Sequence, residues 1–160
     1  MNINELTSQI KRVYNGDPWY GNNVKVVLNE LTAEQADWHA HPGANSIAQI
    51  IKHMISWRQF TIGRVKNNDS RDVEMNSAED WDKNLKVENA SGLQALIAQL
   101  DASQQALIEA LENKDDAYLE TMVTGRNYNM RYLVQGISEH DIYHLGQIGY
   151  VLALWKKGNS

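Results

Sequence analysis

Asn129-Met130-Arg131-Tyr132-Leu133-Val134-Gln135-Gly136-Ile137-Ser138-Glu139-His140-Asp141-Ile142-Tyr143-His144-Leu145-Gly146-Gln147-Ile148-Gly149-Tyr150-Val151-Leu152-Ala153-Leu154-Trp155 reads as one long amphipathic helix. Leu133, Ile137, His140, His144, Ile148, Val151 and Trp155 recur at intervals of three and four, the period that gathers side chains on one helical face. Asn129 supplies a side-chain oxygen for the orphan N–H groups of the first turn. The predicted helix spans roughly Met130 to Lys156.

Upstream, Tyr118 to Val123 has the β-branched and aromatic character of a short extended piece that turns at Thr124-Gly125. Ser91 and Gln94 have capping-box spacing and open a predicted helix with Leu93, Ile97, Leu100, Leu107 and Leu111 inward. From Lys66 to Glu88 the chain is polar and acidic, with Trp81 and Leu85 as isolated apolar anchors, which predicts a long connection. A further capping box, Ser46 with Gln49, starts a helix carrying Ile47, Ile50, His53, Met54, Trp57, Phe60 and Thr61 to about Val65. Near the N-terminus, Ile3, Leu6, Ile10 and Val13 form a short stripe ended by Asn15-Gly16-Asp17-Pro18. Val24, Val27, Leu28 and Leu31 resume the pattern, Thr32 to Gln35 start a brief further turn, and His41-Pro42-Gly43 breaks it. The class is therefore all-α. Three long amphipathic helices and a broken N-terminal one, with one long crossover connection, suggest a four-helix bundle; periodicity alone leaves other all-α arrangements open.

The chain has 160 residues, enough for one domain over 1–160 and a core that needs no disulfide or metal. Hydrophobic residues make up 42% and charged ones 22%, which argues against disorder. There is no cysteine, which removes disulfides, thiolate metal sites and cysteine nucleophiles together and suits a reducing, cytoplasmic setting. A net charge of −5 gives no footprint for nucleic acid. The first residues lack the basic start and apolar stretch of a signal peptide, and the longest apolar run, Ile148 to Trp155, is too short for a membrane span.

Three of the five histidines fall on apolar stripes. His140 and His144 lie four apart, so their rings share the face of Leu133, Ile137, Ile148 and Val151. Imidazoles in an apolar interior are costly unless their nitrogens find partners, and neutral imidazole is the commonest metal ligand. His53 sits mid-stripe on a second helix able to face the first. Spacing alone leaves two readings open: a divalent metal held by His53, His140 and His144, or three separately hydrogen-bonded core residues. His39 and His41, beside Pro42, are expected in solvent and are the second choice as ligands. The acidic run Glu79, Asp80 and Asp82 reads as a solvated surface, since its spacing matches no EF-hand. Trp57 and Trp155 read as core. No Asp or Glu lies squarely on the histidine stripe, and Glu139 and Asp141 point away from it, so no general base is evident. GxSxG, phosphate-loop and HExxH motifs are absent.

Four segments together resemble the DinB/YfiT-like superfamily: Pro18-Trp19-Tyr20-Gly21, expected to open the second N-terminal helix; Pro42-Gly43-Ala44-Asn45-Ser46-Ile47; Ala78-Glu79-Asp80-Trp81 in the crossover; and Gly136 to Ile148. The last is the most specific, and the likeness spans nearly the whole chain. The resemblance implies a four-helix bundle with an unusual crossover, often dimeric. It also implies a three-histidine site for nickel, zinc or a similar ion, iron and copper being alternatives, with His53, His140 and His144 at the ligand positions. Asn45 departs from close relatives, which often carry His there, but it is not one of the triad. Characterised relatives include thiol-S-transferases using bacillithiol or glutathione-like thiols and a mycothiol-dependent isomerase.

The expected function is that of a metal-dependent thiol-S-transferase or hydrolase acting on a small molecule, with a low-molecular-weight thiol as a candidate substrate. Three imidazoles leave positions open on the ion, as in catalytic sites, and Gln147, one turn from His144, could orient a water. The alternative is a non-catalytic metal-binding or stress-associated bundle. A homodimer is expected from the resemblance, with Ile142, Leu145 and Leu154 as apolar residues beyond the stripe.

Overall fold

The computed structural model describes residues 1–69 and 72–159, and within them seven helices each begin at a polar side chain. Asn2, Asn23, Thr32, Ser46, Asn89, Asp115 and Asn129 each accept from the N–H three residues on, which satisfies a donor that the helix cannot. They open α1 (Ile3–Asn15), α2 (Val24–Asn29), α3 (Ala33–Asp37), α4 (Ile47–Asn67), α5 (Ala90–Leu111), α6 (Asp116–Leu119) and α7 (Met130–Gly158). The last helix starts at the predicted residue and runs two residues beyond the predicted end.

The four long helices close a ring: α1 packs on α5 and α7, and α4 packs on the same two. Helix direction follows from which residues meet. Ile3, Leu6 and Ile10 from the start of α1 share one apolar cluster with Val65 near the end of α4, Leu107 and Leu111 at the end of α5, and Val134 and Ile137 early in α7. The opposite cluster joins Val13, Ile47, Ile51, Leu93, Leu96, Leu145 and Ile148. Helices α4 and α5 are therefore neighbours that run parallel, with α1 and α7 antiparallel to both. Parallel neighbours need a connection as long as the helix itself, and residues 68–89 supply it. The result is an all-α four-helix bundle with a long crossover. Among the described residues no helix is long and apolar enough to cross a membrane.

Four local expectations are corrected. The α5 cap is Asn89, accepting from Gly92, so Ser91 lies inside the first turn and forms no capping box with Gln94. Tyr118 to Val123 is mostly not extended: Asp115 accepts from the Tyr118 N–H at 2.8 Å, and the Tyr118 hydroxyl donates to the Val65 carbonyl, which winds α6 and docks it. Only an isolated Met122–Asn129 bridge keeps β character, around a turn where Gly125 has φ 72°. Pro18 to Gly21 does not open α2, which waits for Asn23, and Trp19 is fully exposed. Leu145 is buried in the chain's own core and Ile142 packs against it, so neither argues for a second copy.

Candidate metal centre

Helix α4 delivers His53 and the antiparallel α7 delivers His140 and His144 to the same point. His53 Nε2 lies 3.0 Å from His140 Nε2, which lies 3.0 Å from His144 Nε2, and one nitrogen of each ring falls within 4.8 Å of the others. No other group of three or more such ligands occurs among the described residues. His53 and His144 are buried at 6% and 2% exposure, and His140 is half-buried.

The outer nitrogens fix what the inner ones can do. His53 Nδ1 faces two pure acceptors, the Asp80 carbonyl and Asp80 Oδ1, each at 2.9 Å, so it carries the proton. His144 Nδ1 donates to Gln147 Oε1 at 2.7 Å, and the Gln147 amide nitrogen donates to the Tyr143 hydroxyl at 3.0 Å. Two inward lone pairs therefore meet at His140 Nε2, which can donate to only one of them. A divalent cation resolves that conflict. Nitrogens about 2.1 Å from one ion are roughly 3.0–3.4 Å apart, and the donor set fits.

All three histidines are held neutral. Burial pushes His140 down to about 3, with the neighbouring His144, His53 and Arg58 adding to it. Burial likewise brings His144 down to about 4, with Gln147 and Asp80 opposing. His53 is lowered by burial against the pull of Asp80. Neutral imidazole is the metal-ligating form.

Asp80 is the residue that sequence reasoning missed. It is buried at 3% exposure rather than solvated. Its Oδ1 takes His53 Nδ1–H and Trp57 Nε1–H, both at 2.9 Å, and its Oδ2 takes the Asn76 N–H at 2.8 Å. With both oxygens engaged it holds a ligand, the carboxylate–histidine arrangement that sets ring orientation in metal sites. Trp81 stacks on the His53 ring at 3.9 Å and 10°. A signal existed in Ser77-x-x-Asp80, a turn-forming spacing realised here by Asp80 N–H to Ser77 Oγ, immediately before an apolar anchor. Trp57 is half-buried against the site, not only core.

His39 and His41 are exposed and hydrogen-bonded to the Ala44 and Pro42 carbonyls, apart from the triad. Asp141 turns into the core beside Arg58, and exposed Glu139 accepts from Gln135. Neither reaches the site, in line with their placement on the helix.

No protein with a curated description is significantly similar to the chain. A crystal structure of a conserved protein from Enterococcus faecalis is similar in fold, with a TM-score of 0.60 at 14% identity, covering 95% of this chain and 91% of that one. The characteristic sequence profile of the DinB superfamily matches residues 21–148, which include all three histidines and Asp80, and the chain belongs to that superfamily.

Proposed function

We propose that the chain is a metal-dependent enzyme acting on a small molecule, as a thiol-S-transferase or a hydrolase, in the cytoplasm. Its divalent ion is nickel or zinc, with iron or copper next, bound by His53, His140 and His144. One observation carries the reading: two inward lone pairs are aimed at a third imidazole, and their outer nitrogens are locked by Asp80 and Gln147. Separately satisfied core histidines would not point their acceptors at one another.

A divalent ion at this point supplies Lewis acidity and lowers the pKa of a coordinated thiol or water. The chain's own residues do the rest. Asp80 fixes the His53 ring and tautomer, Trp81 covers its face, and Gln147, bridging to Tyr143, fixes His144. Both ends of the Gln147 amide are engaged, so we assign it to orienting His144 rather than a water. Asp80 is likewise committed to donors, and among the described residues no free carboxylate faces the triad to act as a base. A transferase needs only that the thiol lose its proton to solvent, which favours transfer over hydrolysis.

The test is metal analysis of the purified chain, followed by assays with bacillithiol and glutathione against 1-chloro-2,4-dinitrobenzene, and with a p-nitrophenyl ester. Metal-dependent thiol conjugation that disappears in His53→Ala supports the transferase. Tight metal binding with no turnover of any of these would make it a non-catalytic metal protein. We extend the proposal to a homodimer, on the superfamily resemblance alone. A monomer by sedimentation at high micromolar concentration would remove that part.

A further inference from the structure

Beside the triad lies a small cavity of about 110 Å³ that the ligand geometry leaves unused. Trp57, Tyr128, Tyr132, Leu133 and Gly136 line it, and its remaining wall includes His140, the least buried of the three histidines. Tyr132, Gly136 and His140 succeed one another at intervals of four on α7, so they form one stripe. The glycine in the middle is what opens the space: a Cβ built there meets no atom within 4 Å.

The lining chemistry narrows the occupant. No side chain of Lys, Arg, Asp or Glu takes part. The Trp57 indole N–H is already given to Asp80, and the Thr61 hydroxyl is given to the Trp57 carbonyl, so neither is offered inward. The Tyr128 and Tyr132 rings stand 5.0 Å apart at 41°, presenting faces and edges to an apolar group. A bound divalent ion next door would repel a cation, which excludes the ammonium use of an aromatic cage. An apolar cavity of about 150 Å³ accepts benzene. One of this size, open on one side, suits a phenyl ring or a branched alkyl group.

We infer that this cavity is the specificity pocket of the proposed enzyme, receiving a neutral aryl or branched-alkyl substituent one or two bonds from the atom that reacts at the histidine site. The inference rests on the metal-site reading for its chemistry but not for its existence. A phosphorylated or cationic tail finds no charged partner there.

The cavity is tested first without metal. Benzyl alcohol titrated into the chain should shift the Trp57 indole N–H resonance (assigned by its loss in Trp57→Phe) saturably, while glycerol should not. Gly136→Leu, which fills the space at a position open enough to take it, should abolish the shift. Tyr132→Ala, at a side chain 67% exposed, should weaken it several-fold and guards against a misfolded Gly136 variant. In the cobalt(II)-loaded chain, benzyl mercaptan should bind at least tenfold tighter than 2-mercaptoethanol, read from the thiolate-to-cobalt absorption band. Gly136→Leu should erase that preference and leave cobalt affinity unchanged. An absent or unsaturable shift overturns the pocket, as does a preference that survives Gly136→Leu. A chain that binds benzyl alcohol but neither cobalt nor zinc keeps the pocket and overturns the metal reading instead.

Discussion

A histidine inside a protein is informative chiefly through the nitrogen that faces away from its apparent task. At His53 that nitrogen is spoken for by Asp80, and at His144 by Gln147, so the facing nitrogens are acceptors by elimination. Asp80→Ala should therefore weaken zinc binding about ten- to a hundredfold without removing a ligand, the usual effect of losing such a partner. Asp80→Asn, whose one oxygen can still accept from His53 and Trp57 although it gives up the Asn76 N–H, should lose less. Competition titration against a zinc chelator separates the two, and equal affinity in Asp80→Ala would contradict the role assigned to Asp80. Each of His53→Ala, His140→Ala and His144→Ala should cost more than either, and by similar factors. If His53→Ala binds as tightly as the parent, the three do not form one site. Proton competition offers a sharper check. Three ordinary imidazoles at pH 5 would each lose about thirtyfold in available lone pair. Here burial holds His140 down to about 3 and His144 to about 4, and lowers His53 too, so zinc affinity of the folded chain should fall far less between pH 7 and pH 5 than three ordinary imidazoles would allow. A steady decline starting near pH 6.5 would show that the rings are hydrated.

At the scale of elements, the crossover is where metal chemistry and topology meet. Residues 68–89 exist because α4 and α5 run parallel, and the same segment brings Asp80 and Trp81 onto His53. Ordering the His53 ring on a metal should also hold the segment that grips it. Amide exchange at Asp80 and Trp81, whose N–H groups bond to Ser77, should slow at least tenfold on adding zinc, while amides in the exposed last turn of α7 near Lys157, which open locally away from the site, should not change. Slowing confined to core amides such as those near Leu100 would mean global stabilisation only. The helices themselves were largely legible: stripes of three and four placed α4 and α7 to within two residues at their ends. What misled was local chemistry with two solutions. Asn89 and Ser91 both precede the α5 stripe, and a cap two residues earlier wins because Asn89 reaches the Gly92 N–H. Tyr118 to Val123 has strand-like composition, but a hydrogen bond from the Tyr118 hydroxyl to Val65, far along the chain, rewards a helical turn. Asp80 was invisible for the same reason: its burial depends on where the crossover lands, which no window of sequence contains.

For the whole molecule, the two apolar clusters lie toward opposite ends of the bundle, and between them runs a buried polar layer. Arg58 is fully buried, paired with Asp141 and Gln104, and its guanidinium lies 4.9 Å over the Tyr14 ring, whose hydroxyl donates to Asp101. Arg58 Nε, Asp141 Oδ1 and Ser138 Oγ have no partner among the described residues. Such a pair adds little over an apolar pair of the same shape, yet removing one member strands the other. Arg58→Ala should thus destabilise by about 3–5 kcal/mol in urea unfolding, and Arg58→Met with Asp141→Leu together by much less than the sum of the two single changes. Acid stability of the metal-free chain follows from the same layer and the triad. Between about pH 6.5 and the folded values near 3 and 4, His140 and His144 are protonated only when unfolded, and His53, lowered too, acts in the same direction. Each draws the chain toward unfolding as pH falls. Asp141 works the other way: burial raises it to about 6, so the folded state takes up its proton first and gains between pH 6 and pH 4. Three groups oppose one. The urea midpoint should fall from pH 7 to pH 4.5, and less so in Asp141→Asn than in the parent only if Asp141 is ionised in the fold at low pH. Saturating zinc should restore about 4 kcal/mol at a thousandfold excess over its dissociation constant at pH 7. The fold itself should persist without it, since the apolar clusters at both ends contain no ligand. A metal-free chain that loses its helical circular dichroism at pH 7 would show that the ion, and not the core, holds α4 against α7.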